Sequence, residues 1–199
     1  MDADATIAAV EEATTTERNR LGSDKLLIAV TGATLEEGAV WAAMATREAG
    51  VADALAEWDA EESEIQATVE QAATAAADRR DRIDGTPGEA DALSKHLGTL
   101  DGTPERVGAG LVAVPLVFDR LYLQVVSFFV NEADERSADV ARELRTAVSD
   151  LDPARKVLSA LSEDERERAR EAAVDAVGVA YEEYAETLEA MGLDPKPVC

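Results

Sequence analysis

The sequence predicts an all-α protein, an antiparallel bundle of about six helices. Three observations predict it. Apolar residues recur at three- and four-residue spacing along most of the chain. Helix start and stop signals punctuate that pattern. β-strand signals are nearly absent.

Helix one covers about Ala3 to Leu21 and stops near Gly22. A short apolar piece, Leu26 to Val30, leads to Gly32. Thr34 with Glu37 has the form of a capping box, in which each residue satisfies a backbone N–H of the other, and opens helix two to about Asp59. Helix three runs from about Glu64 to Ile83 and ends at Gly85-Thr86-Pro87-Gly88, a combination no helix tolerates. A loop with a helical turn, Ala90 to Leu97, crosses to Thr103-Pro104. Threonine at the N-cap and proline at the first helical position start helix four. It reaches about Val130, is apolar all round, and is therefore the expected buried centre, kinked at Pro115. Helix five, about Glu135 to Ala160, is interrupted or bent at Asp152-Pro153. Ser162 with Glu165 caps helix six, which continues to Met191 and stops at Gly192. Residues 1–193 read as one domain and 194–199 as an extended tail.

The seams follow from the spacing. Helix six carries Val174, Val177, Tyr181, Tyr184, Leu188 and Met191; helix three carries Ile65, Val69, Ala72, Ala76 and Ile83; helix five carries Val140, Leu144, Val148 and Leu151. Such stripes with short connections describe neighbouring antiparallel helices. Gly108-Ala109-Gly110, inside helix four, reads as close helix packing rather than a phosphate loop.

Charge narrows the function classes. The 199 residues carry 42 acidic and 19 basic side chains, a net charge of −23. Only Lys25, Lys95, Lys156 and Lys196 are lysines. Self-repulsion of this size opposes folding at ordinary ionic strength. In about 1 M salt the Debye length falls to ~3 Å and the repulsion is screened. Abundant carboxylates, scarce lysine and many alanines are the composition of a halophile's protein. With 46% hydrophobic residues in helical register, the chain is not an acidic disordered polymer. No basic patch forms, so nucleic acid and anionic membranes are poor partners, and a protein partner or a homodimer is the better expectation. The start Met1-Asp2-Ala3-Asp4 lacks a leader pattern, which points to the cytoplasm. The most apolar stretch, Val107 to Val130, is interrupted by Asp119, Arg120 and Gln124, so no membrane span is expected.

The candidate site residues are polar groups on apolar stripes. Helix two runs Trp41, Met44, Glu48, Val51, Leu55, Trp58 at spacing 3, 4, 3, 4, 3, which puts Glu48 in the core. A buried carboxylate needs a cation, a metal or a strong hydrogen-bond donor. Arg18, Arg20 and Arg47 are nearby candidates. Helix one places Glu17 in line with Ile7, Val10, Thr14 and Leu21. His96, the one histidine, falls on the crossing segment as an exposed or helix-end imidazole. The single Cys199 cannot form an intrachain disulfide and is a candidate redox thiol or intermolecular contact.

Glu17-Arg18-Asn19-Arg20-Leu21, followed by Arg47-Glu48-Ala49-Gly50-Val51, resembles the first two helices of the rubrerythrins. The resemblance covers about the first 85 residues. It implies a ferritin-like bundle in a halophilic archaeon, whose di-iron site takes a Glu from each of two helices and Glu-x-x-His from two more. Against that pattern, the ligand position four residues before Arg-Asn-Arg is Thr14, and Glu-x-x-His becomes Glu48-x-x-Val51. Asp78, in Asp78-Arg79-Arg80-Asp81, stands at a plausible ligand position. Asp119 with Glu143 is the alternative second half. One histidine cannot supply two Glu-x-x-His motifs, and no Cys-x-x-Cys rubredoxin-like module is present. The resemblance therefore implies an incomplete di-iron site. Weak binding of iron or manganese at Glu48, aided by Glu17 or Asp78, remains chemically open. The non-enzymatic alternative is a protein-interaction or regulatory module.

Overall fold

A computed structural model describes residues 1–60 and 62–196. All regular structure among them is helical: α1 (Ala3–Ala13), α2 (Thr15–Leu21), α3 (Lys25–Val30), α4 (Glu37–Ala56), α5 (Ser63–Asp81), α6 (Ala92–Leu97), α7 (Thr103–Arg106), α8 (Val114–Asn131), α9 (Glu135–Val148), α10 (Asp152–Ala160) and α11 (Glu163–Ala190). A π-helical segment, Val107–Ala113, joins α7 to α8 without a break.

Several boundaries depart from the expected ones. The first helix breaks at Thr14, whose hydroxyl donates to the Val10 carbonyl at 2.7 Å. The Thr14 N–H still donates to the same carbonyl at 3.0 Å and the Arg18 N–H to the Thr14 carbonyl, so the interruption is confined to one residue. The Thr34–Glu37 capping box does not form. Gly32 and Ala33 take positive φ (59° and 65°), and α4 starts after Glu36 with no side-chain cap. Thr103 is a helical residue following Gly102 rather than an N-cap. Pro115 follows closely on the π turns Val107–Ala113, and the helix continues through it. A proline at this point has no N–H to give and crowds the carbonyl four residues back. By contrast, α11 begins with the expected capping box: Ser162 accepts from the Glu165 N–H while the Glu165 carboxylate accepts from the Ser162 N–H at 2.7 Å.

One continuous core runs from Ala3 to Leu188. Its centre is the long helix Thr103–Asn131, with α11 laid across the π segment and the pairs α4–α5 and α8–α9 packed alongside. Gly108 makes that crossing possible, and Gly110 the approach of the π segment to the end of α4. A Cβ at Gly108 would collide with the Ala169 backbone of α11, and one at Gly110 with the Trp58 ring. Trp41 stacks on Phe129 with ring centroids 4.9 Å apart. Thr103–Asn131 is the one helix among the described residues long and apolar enough to cross a membrane, and 56% of its most apolar window is covered by the rest of the protein. The helix runs unbroken through Asp119 and Arg120 to Asn131, as expected for helix four.

Of the C-terminal segment, Asp194 to Lys196 are described. The Lys25 ammonium donates to the carbonyls of Asp194 and Lys196 at 2.9 and 2.8 Å. The Tyr184 hydroxyl donates to that of Pro195, leaving Ser23 to donate to Tyr184. Cys199 lies outside the described residues.

Candidate functional site

Neighbouring residues of α4 build two charged centres. All six residues of the stripe Trp41, Met44, Glu48, Val51, Leu55, Trp58 are buried, so Glu48 enters the core as its spacing requires, with no exposed surface. Its Oε1 accepts two hydrogen bonds: from Arg79 Nε of α5 at 2.9 Å and from the Tyr122 hydroxyl of α8 at 2.7 Å. Its Oε2 is buried with no partner among the described residues. Burial raises the Glu48 pKa; the Arg79 charge and the two hydrogen bonds pull it down but do not offset the loss of water. Burial and the adjoining carboxylate likewise hold the Tyr122 hydroxyl well above its ordinary value, so it remains a donor. Arg79, half-buried, also lines a cavity of about 240 Å³ between α4, α5, the π segment and α8 to α10.

Arg47 turns to the other side of α4. Its Nε lies 3.3 Å from Asp91 Oδ2 and its Nη2 3.7 Å from Glu183 Oε2. Its one hydrogen bond goes to the Ala43 carbonyl at 3.2 Å. Asp91 caps α6 by accepting from the Ser94 N–H, and Glu183 accepts from the Ala92 N–H. These groups line a cavity of about 420 Å³ between α3, α4, α6, α8 and α11.

The other sequence candidates do not assemble around Glu48. The expected arginine partners are engaged elsewhere: Arg18 with Glu11 and Arg20 with the Tyr181 hydroxyl, besides Arg47 as above. Glu17 is half-buried and lines a separate groove with Asp175 and Glu182. Asp78 is exposed, and it is the next residue, Arg79, that points inward. Asp119 accepts from Arg145 at 2.9 Å and from Ser149, while Glu143 pairs with Arg82. Asp119 and Glu143 therefore form no joint carboxylate pair. His96 lies in the last turn of the short α6 and is half-buried rather than exposed, with Nε2 unpartnered among the described residues. Thr14 is buried and satisfied by its own helix.

These residues do not fit a two-metal centre. Such a centre needs several carboxylates and imidazoles converging on two cations. Here one carboxylate converges with a guanidinium and a phenol. Among the described residues no group of three or more His, Cys, Asp or Glu side chains could hold a metal ion. Arg79 and Tyr122 were missed in the sequence reading, yet Arg79 had a signal. It falls between Ala76 and Ile83 at steps of three and four, on the same seam. Tyr122 had none, because every position of an all-apolar helix reads alike.

No family model matches the chain, and no curated protein and no solved structure matches it.

Proposed function

We propose that the chain is a rubrerythrin-related, ferritin-like protein of a halophilic archaeon's cytoplasm that acts by binding, to a protein partner or a second copy of itself, and not by di-iron chemistry. One observation carries the reading: the carboxylate at the retained ligand position, Glu48, is held by Arg79 and Tyr122. The guanidinium supplies the positive charge that a metal would otherwise bring to this carboxylate. A cation at Glu48 would have to expel Arg79 or sit beside its charge, both unfavourable in a low-dielectric interior. The excess of acidic over basic residues supports solubility in brine and a partner surface that tolerates negative charge.

Metal analysis of untagged protein purified in molar potassium chloride tests the reading. Far less than one iron or manganese per chain is the expected result. About two per chain, the complement of a di-iron centre, would overturn it and return the search to Glu48.

A further inference from the structure

From the Arg47 cavity we infer a binding site for a zwitterionic small molecule, an α-amino acid with a large apolar side chain. The inference goes beyond the function proposed above, resting only on its premise that the chain works by binding. Metal content tests that premise separately.

The cavity lining is of two kinds. Arg47 stands between Asp91 and Glu183, with Lys95 and Glu89 paired at 2.6 Å. Leu21, Leu26, Val117, Phe118 and Leu121 supply the apolar part. Its volume, about 420 Å³, lies in the range of small-molecule sites, and such sites combine mostly apolar walls with a few convergent polar groups.

The charged part is incompletely satisfied in a specific way. Charge-assisted guanidinium–carboxylate bonds close at roughly 2.7–2.9 Å when both partners are free to align. The Arg47 pairs stand at 3.3 and 3.7 Å, and neither has hydrogen-bond geometry. The reason lies in the carboxylates: one oxygen of each is committed to a backbone N–H at the start of α6, Asp91 to Ser94 and Glu183 to Ala92. The second oxygens, Asp91 Oδ2 and Glu183 Oε2, are left facing the guanidinium at 3.3 and 3.7 Å, without a hydrogen bond to it. Donors and acceptors with spare capacity therefore lie side by side. An incoming carboxylate accepts from Arg47, and the ammonium on the same carbon donates to Glu183 or Asp91. A purely anionic ligand would meet the two fixed carboxylates, and a purely cationic one would meet Arg47 and Lys95. A ligand carrying both charges on adjoining atoms satisfies both sets, and its side chain then lies against the apolar part of the lining.

Calorimetric titration of the full chain in molar potassium chloride, with L-leucine and L-phenylalanine as probes, tests the site. The controls are 4-methylpentanoate, which lacks the ammonium, and isoamylamine, which lacks the carboxylate. At least one amino acid is expected to bind. Each control should bind at least tenfold more weakly, because a site built to pair both groups leaves one unpaired with either control. Arg47→Met should abolish binding. Ala43→Leu, which narrows the cavity without touching a charge, should weaken it severalfold. Circular dichroism on both variants establishes that the helices persist, and the analogue comparison on the wild-type protein decides the matter should Arg47→Met fail to fold. Absence of binding by both amino acids, or binding of either control as strongly as the amino acid, overturns the inference.

Discussion

Glu48 and Arg47 are consecutive residues of α4, and their side chains enter opposite environments. Glu48 is sealed: it has no exposed surface, its partners are short, and burial outweighs the nearby arginine in shifting its pKa. Arg47 opens on a cavity, and its partners are long. The difference teaches how position on a helix governs what a charge can do. On the apolar stripe a charge must be matched one for one, and the match then excludes other occupants. One residue away, where α4, α6 and α11 leave a gap, the same helix keeps its charge loosely paired beside a cavity. The sealed centre accounts for structure; the open one has spare capacity for a ligand.

The largest expected effect is on the sealed side. Arg79→Ala leaves the Glu48 carboxylate buried and without its cation. Loss of one partner of a buried pair destabilises by about 3–5 kcal/mol. Glu48→Ala should be milder, about 2 kcal/mol, since Arg79 borders a cavity and can take up water there. Arg47→Ala should be milder still, about 1 kcal/mol, because Asp91 and Glu183 keep their backbone donors. Denaturant titrations in molar potassium chloride give all three values. An Arg47→Ala loss as large as that of Arg79→Ala would erase the distinction between the centres.

A smaller effect sharpens it. Tyr122→Phe deletes one of two donors to Glu48 Oε1 and should destabilise by about 1 kcal/mol. It should also push the Glu48 pKa further up, because a hydrogen bond that favours the charged form is gone. Infrared spectroscopy of the carboxyl band against a Glu48→Gln reference reads that shift.

The smallest effect is a pH dependence. Burial raises the native pKa of Glu48 above 4.5, its ordinary value. Between the unfolded and native values the folded state binds the extra proton, so the contribution of Glu48 to stability falls as pH rises through that window. It is greatest below the unfolded value. Glu48→Gln carries no such proton. The stability of the wild type minus that of Glu48→Gln should therefore shrink as pH rises from the ordinary carboxylate range. A difference that grew with pH would mean that Arg79 outweighs burial.

Much of the fold was legible because it rests on spacing. The α4 stripe from Trp41 to Trp58 and the Ser162–Glu165 capping box of α11 are where their patterns place them. The failures are local. Thr14 reads as a helix residue on a seam and keeps both of its backbone helix bonds, yet the helix is interrupted at that one residue. Thr34 and Glu37 have capping-box spacing, but the turn through Gly32 and Ala33 delivers the chain to α4 at Glu36 instead. The site was legible only by half. Spacing sends Glu48 inward, and chemistry demands that it be matched. Which arginine matches it depends on how α5 is rotated against α4, and no local pattern encodes that rotation. The acidic flanks of Asp78-Arg79-Arg80-Asp81 drew attention to the right segment and the wrong residue. Asp78 faces outward and Arg79 reaches Glu48.

A crystal structure of the protein grown in molar potassium chloride and soaked with manganese tests most directly whether Arg79 fills the place of a cation at Glu48. The account predicts Arg79 Nε and the Tyr122 hydroxyl on Glu48 Oε1, with no anomalous manganese signal in that part of the core. A manganese ion bound to Glu48, with Arg79 swung away into its neighbouring cavity, would contradict it.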